Sequence, residues 1–187
     1  MIERKPTRLH NYDYSSDNLY YVTSCVHKRE CCFGEIITCN DERGISRKMI
    51  LNEYGEIAQK QWYWLSKQYA FLILHEFVVM PNHIHGIIQI RKGMAQPRRD
   101  RSRPVPTKDV MKIKSLSELM GAYKTTVSKQ IHLLESRRDR SRPVPTPFSW
   151  QRSFYEHIIR DEDDFERISK YILDNPSNWF IDEFNDH

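Results

Sequence analysis

Between Phe71 and Ile90 the chain carries its most apolar stretch, and Pro81-Asn82 divides it in two. Residues 70–80, AFLILHEFVVM, read as a strongly apolar strand. Residues 83–90, HIHGIIQI, read as a second strand, with Pro-Asn as the turn between them. The expected unit is an antiparallel hairpin. No apolar run reaches the eighteen or so residues of a membrane span, and His75 and Glu76 interrupt the longest one.

The rest of the chain is read around this hairpin. Residues 18–27, NLYYVTSCVH, are rich in Tyr, Val and Thr and predict a strand. Residues 33–38 predict a short strand or turn. From residue 52 to 67, apolar residues at Tyr54, Ile57, Ala58, Trp62 and Leu65 keep helical spacing behind a plausible cap, Asn52. Ser115-x-x-Glu118 is a capping box opening a helix whose stripe is Leu116, Leu119, Met120, Tyr123, Val127, Ile131 and Leu134. Residues 148–159 read as a strand. Asp161 caps a last helix with Phe165, Ile168, Tyr171 and Ile172 on one face, ended by Pro176. The order β-(β)-α-β-β-α-β-α implies an α+β fold, an antiparallel sheet with helices packed on it.

The chain has 187 residues, which suits one domain. Its net charge of +4 is unevenly spread. Residues 91–114 hold nine Lys/Arg against two Asp, residues 137–146 hold four Arg against one Asp, and the remainder is net acidic. Both basic tracts, expected as loops over 91–114 and 136–147, contain the same decapeptide, RRDRSRPVPT, at 98–107 and 137–146. It has no apolar face to stack, so it is not a solenoid repeat. It reads as an exposed irregular or polyproline-like loop, which either touches phosphate backbone or only solvates. Its codons can be chosen so that RDRSRPVP is written by a DNA string equal to its own reverse complement. Two in-frame insertions of a palindrome at tolerant loop sites are therefore our hypothesis for its origin. Gene sequence that does not fold back on itself at both places would exclude it. The N-terminus shows no apolar signal region and the four cysteines no C-x-x-C pair, so a cytoplasmic, reduced protein is expected.

Chemistry concentrates in two places. On a strand His83 and His85 share a face, and two neutral imidazoles at that spacing can bind one divalent ion. A bare H-x-H pair also fits two polar residues on a half-exposed strand, but the apolar residues around it put this pair near a core. On the last helix Tyr171 and Asn175 lie four apart on one face. A phenol is a nucleophile toward phosphorus when its anion is stabilised, and an amide oxygen one turn on can join a metal. Composition does not separate Tyr171 from Tyr123 or Tyr155, or from an ordinary core tyrosine.

The segments HEFVVMPNHIHGIIQI, LSELMGAYKTTVSKQI and WQRSFYEHIIRDEDDFERISKYILDNPSNW resemble the HUH single-tyrosine transposases, most closely their REP-associated branch. The resemblance covers about residues 15–180. It implies an HUH-endonuclease (ferredoxin/RRM-like) architecture. It implies His83 and His85 as ligands of Mg2+ or Mn2+, Tyr171 as the nucleophile, and Asn175 as a further metal ligand where the insertion-sequence branch carries Gln. The implied activity is nicking and strand transfer on single-stranded hairpin or palindromic repeat DNA through a 5′-phosphotyrosine link. The free 3′-OH later attacks that link, with no external energy source.

Two other functions stay open: a domesticated protein that grips hairpin DNA without cutting, and a metal phosphodiesterase using water. The resemblance leaves monomer or homodimer open, and no membrane partner is expected. Lys124, Lys129, Arg152 and Arg160 are candidate phosphate contacts, although exposed charges commonly only solvate. His157 is a candidate third polar group at the site. Trp62, Trp64, Trp150 and Trp179 read as packing residues. His27 with Cys31, Cys32 and Cys39 has poor zinc spacing.

Overall fold

The structure, a computed structural model, describes residues 13–41, 44–94, 114–137, 147–181 and 184–185. The 98–107 decapeptide lies outside them, as does the 137–146 copy apart from Arg137. The described elements are β1 (Asn18–Cys25), β2 (Gly34–Asp41), β3 (Gly44–Leu51), α1 (Glu53–Gln68), β4 (Leu72–Val79), β5 (His83–Ile90), α2 (Leu116–Arg137), β6 (Tyr155–Ile159) and α3 (Glu162–Asn178). A mixed α/β architecture results, with one antiparallel sheet ordered β4-β5-β1-β6 and a separate β2-β3 ribbon. Among the described residues no helix is long and apolar enough to cross a membrane.

Strand alternation divides the core in two. Ile84, Ile88 and Ile90 of β5 join Tyr20 and Val22 of β1 in a cluster with α1 and α2. Ile87 of β5 and Tyr21 of β1 face the other way, against Ile168 and Ile172 of α3. β5 is therefore covered on both faces, which is why it reads as a nearly unbroken apolar run.

Trp62 of α1 is the keystone of the larger cluster. Its ring stacks on Phe77 at 4.4 Å and meets Tyr123 of α2 edge-on at 5.5 Å. Gly86 of β5 lies beneath it, where an added Cβ would come within 2.7 Å of Trp62 Cη2 and closer still to Cζ2. All four tryptophans pack against the core, Trp62 and Trp179 buried, Trp64 and Trp150 partly so.

The helix starts follow from local bonds. Asn52 Oδ1 accepts from the Tyr54 and Gly55 amides at 3.0 and 3.1 Å. The Ser115 amide donates to Glu118 Oε2 at 2.8 Å, and the Glu118 amide donates back to Ser115 Oγ at 3.4 Å. Asp161 Oδ1 accepts from the Asp164 amide at 2.8 Å. The acidic first turn of α3, Glu162 to Asp164, also suits the positive end of the helix dipole.

Three expectations need correction. The short strand at 33–38 is one arm of a full hairpin, and β3 went unread. Its Ile45 and Ile50 are exposed, so burial leaves no clean alternation in the sequence. The strand read over 148–159 is ordered as β only from Tyr155, apart from one bridge between Trp150 and Val26. Pro176 does not end α3, which runs through it to Asn178. Proline's fixed φ is compatible with a helix. The bond to the carbonyl four residues back is lost and the ring crowds that carbonyl, but here both effects fall near the end of the helix.

Replacing Gly86 with alanine pushes a methyl group into Trp62. We expect a loss of about 1–3 kcal/mol of stability, the usual cost of overpacking. Urea titration of G86A against the parent protein measures it, and an unchanged midpoint would contradict the packing described.

Candidate active site

The β1–β5 register sets Thr23 opposite His85 and Cys25 opposite His83. Both imidazoles point toward α3 and are fully buried. Their Nε2 atoms stand 2.9 Å apart. Burial pushes His85 down to about 3 and, aided by the neighbouring His85 ring and Arg29, pushes His83 well below the ordinary histidine range. Both rings are therefore neutral at physiological pH and carry lone pairs rather than charge.

Their tautomers are tied to the surroundings. Asn82 donates its amide nitrogen to the carbonyls of Arg29 and Phe184, at 3.1 and 2.8 Å. The oxygen of Asn82 is thus the atom 2.7 Å from His83 Nδ1, so that nitrogen carries the proton. The lone pair of His83 is left on Nε2, facing His85. On the far side, His85 Nδ1 lies 2.8 Å from both the Tyr21 and Thr23 hydroxyls. Thr23 Oγ1 also donates to the Tyr21 hydroxyl at 3.0 Å. Hydroxyls both donate and accept, so this pair serves either tautomer of His85. Burial also raises Tyr21 well above the ordinary phenol range, which keeps it protonated.

α3 completes the arrangement. The Tyr171 hydroxyl is 3.5 Å from His85 Nε2, with ring centroids 5.3 Å apart. Trp179, two turns further on, lies 6.1 Å from the His83 ring. Asn175 falls between these two contacts, four residues from each, and so sits on the helix face that meets the histidine pair. Its side chain is buried, and neither amide atom finds a hydrogen-bond partner among the described residues. A buried amide without partners costs about 1–3 kcal/mol per group.

Tyr171 itself is 41% exposed. It opens on a cleft of about 820 Å3 that also receives Tyr155, His157, Arg167 and Phe184. His157 Nε2 bonds Asp164 Oδ2 at 2.7 Å, and Arg167 grips the other carboxylate oxygen. Burial raises the Asp164 carboxyl, but the bonds from His157 and Arg167 outweigh it and hold the group below the usual carboxylate range.

The predicted residues thus separate. His83, His85 and Tyr171 converge, Asn175 is buried one turn along α3 from Tyr171, and His157 stands on the rim of the same cleft. Tyr155 is exposed in that cleft, whereas Tyr123 is buried in the other core, its hydroxyl donating to the Ala58 carbonyl. Lys124, Lys129 and Arg152 gather elsewhere along α2, without Arg160. Among the described residues no three His, Cys, Asp or Glu side chains gather to hold a metal. A cation on the histidine pair would have to complete its coordination with other oxygens, for which the buried Asn175 amide is the candidate in this chain. Two neutral imidazole nitrogens and an unpartnered amide oxygen fit a divalent ion.

Sequence reasoning missed Tyr21, Thr23, Asn82, Arg167 and Phe184. The i, i+2 spacing of Tyr21 and Thr23 on a predicted strand is the one signal that could have flagged the first two. Phe184 reaches the site on the returning chain end, its ring 4.7 Å from that of His83 and under the Arg29 guanidinium at 5.2 Å.

No protein-family model matches the chain. An uncharacterized protein of Haemophilus influenzae Rd is 32% identical over 184 residues, covering 96% of this chain and 92% of that one. Among solved structures, that of a REP-associated tyrosine transposase bound to a REP hairpin superposes with a TM-score of 0.53. The identity is 15%, over 92% of this chain and 73% of that one. A Deinococcus radiodurans protein aligns more distantly, at TM-score 0.47 and 13% identity, over 89% of this chain and 95% of that one. The fold described above is the tyrosine transposase fold.

Replacing Asn175 with leucine removes the orphaned amide while keeping its branched shape. In chelator-treated protein we expect N175L to be as stable as the parent or about 1–2 kcal/mol more stable. If the amide holds a metal, adding Mn2+ should raise the melting temperature of the parent and not that of N175L. A destabilised variant that keeps the shift would mean the amide has partners in the protein and plays no part in holding metal.

Proposed function

The chain belongs to one family with the Haemophilus influenzae protein, and on the geometry of its histidine–tyrosine site we propose that it is a metal-dependent nuclease and strand transferase. Its substrate is single-stranded DNA in a hairpin or palindromic repeat, and its intermediate is a covalent 5′-phosphotyrosine. The observation that carries this reading is the Tyr171 hydroxyl 3.5 Å from His85 Nε2 of a desolvated imidazole pair, with the Asn175 amide buried one turn along the helix and without a partner among the described residues. The fold it shares with a transposase bound to a REP hairpin supports the choice of substrate.

His83 Nε2, His85 Nε2 and Asn175 Oδ1 are the atoms that would hold Mg2+ or Mn2+. Such an ion supplies Lewis-acid polarisation and orientation of the scissile phosphate. The chain's own groups do the rest. Asn82 fixes His83 with its lone pair inward, and Tyr21 with Thr23 steadies the His85 ring from behind. Tyr171 Oη attacks phosphorus. The Oη–P bond forms, the bond from phosphorus to the 3′-oxygen breaks, and that oxygen leaves as a 3′-hydroxyl after taking up a proton. The phenol proton passes to the solvent that reaches the exposed edge of the ring. Arg167, one turn before Tyr171 and braced by Asp164, faces the cleft as a cation for the incoming phosphodiester.

The test is incubation of the protein with labelled hairpin DNA and Mg2+ or Mn2+, followed by a denaturing gel. We expect a covalent adduct that is lost in Tyr171→Phe. His83→Ala should abolish cleavage while keeping most hairpin binding, because backbone contacts dominate affinity. Cleavage without an adduct would point to water as the nucleophile. Tight binding with neither product would leave a hairpin-binding protein and sink the transferase reading.

A further inference from the structure

A second cleft, of about 860 Å3, lies between α2 and residues 148–152. It belongs to the layer of α1 and α2, whereas the histidines face α3, and it shares no lining residue with the Tyr171 cleft. On its inner side the outer wall is held by a short backbone bridge to residues 25–27, where the His27 amide donates to the Ser149 carbonyl at 2.8 Å. Two side chains of α2 tie it down from the other side. Lys124 Nζ donates to the carbonyls of Gln151 and Ser153 at 2.6 and 2.9 Å, and His132 Nε2 donates to that of Phe148 at 3.1 Å.

The lining has one sign of charge. Lys124, Lys129 and Arg152 contribute cations, and among the described lining residues there is no carboxylate. Lys129 and Arg152 are exposed, while Lys124 is engaged with the wall. Thr125, Ser128 and Ser136 add hydroxyls along the same helix. From Lys124 to Ser136 the α2 axis advances about 18 Å at 1.5 Å per residue. That length spans roughly five phosphates of one DNA strand.

The aromatic residues argue against base stacking here. Trp150 is packed among Phe33, Phe148 and Tyr123, with centroids 5.4 to 5.9 Å away. Phe148 is itself buried. Cations and hydroxyls without an open ring read a phosphate backbone rather than unpaired bases.

The wall also leads toward the active site. The Gln151 amide bonds the Cys25 carbonyl at 2.9 Å, and Cys25 pairs with His83 across the sheet. We propose that this groove docks the phosphate backbone of duplex DNA, the stem of a hairpin, through Lys129 and Arg152, with Lys124 as the positioning residue that fixes the wall. The inference rests on the hairpin-DNA reading above and adds where the paired part of the substrate is gripped.

Two probes test it with the full chain: a hairpin carrying a single-stranded tail, and the tail alone. Binding is measured against NaCl concentration for the parent, for K129E/R152E and for the milder K129Q/R152Q. Each duplex phosphate contact contributes about 0.9 to the log–log salt slope. The neutral double variant should therefore lower the hairpin slope by about 2 and weaken binding at 100 mM salt at least tenfold. Tail-only affinity and the melting temperature should stay unchanged. An unchanged hairpin slope overturns the groove even if the parent protein forms its covalent adduct. Equal losses on hairpin and tail also overturn it, by making the groove a single-strand path. A hairpin-specific loss in a protein that forms no adduct upholds the groove and rejects the nuclease.

Discussion

The pairing of β5 with β1 is the constraint on which the site depends. Side chains alternate along a strand, so a slip of one residue would turn both imidazoles into the α1/α2 core and send Ile84 toward α3. Both faces of β5 are buried, which makes that slip costly. Trp62 adds a steric lock, because its ring needs the side of β5 where Gly86 has no Cβ. The same register places Thr23 and Tyr21 behind His85. One alignment of two strands therefore supplies both rings and the hydroxyls behind one of them.

Desolvation then determines the chemistry. Full burial keeps both histidines neutral, and a neutral ring with an unmet nitrogen is unfavourable in a dry core. The surrounding chain meets the outer nitrogens by geometry: the Asn82 oxygen at His83 and two hydroxyls at His85. Among the described residues the inner nitrogens meet each other and the Tyr171 hydroxyl and nothing else. Asn175 is less well served, with an amide that is buried and unpartnered among the described residues. Polar groups are thus satisfied around the rim and under-satisfied toward the centre, as expected where a ligand supplies the remaining bonds.

What could be read from the sequence follows the range of the interactions. The caps at Asn52, Ser115 and Asp161 were legible because each bond joins residues two or three apart. β5 was legible from its apolar run, and the His83/His85 and Tyr171/Asn175 pairs from strand and helix periodicity. β3 was not, because its ribbon leaves Ile45 and Ile50 exposed and so lacks the burial that writes a pattern. Residues 148–154 look strand-like in composition, but they make only one bridge to residue 26, and side-chain bonds from Lys124 and His132 complete their anchoring. Tyr21 and Thr23 were missed for a related reason. Their bonds to His85 cross 64 and 62 residues of chain and exist only once the strands pair.

The division of labour on α3 follows from helix geometry. At about 100° per residue, Asn175 falls on the helix circumference between Tyr171 and the Ile168/Ile172 stripe. Those isoleucines are buried against the sheet and fix the rotation of the helix. Asn175 is therefore carried into the dry interior, and Tyr171 is left on the rim, touching His85 with one side and solvent with the other. In the proposed reaction the nucleophile has to meet a substrate that arrives from water, while metal-ligating atoms act most strongly where water is excluded. Exchanging the two residues would bury the phenol and expose the amide, losing both properties with composition unchanged. The order of Tyr and Asn along one turn, set by which neighbours are apolar, is what would let a single helix serve both of the proposed roles.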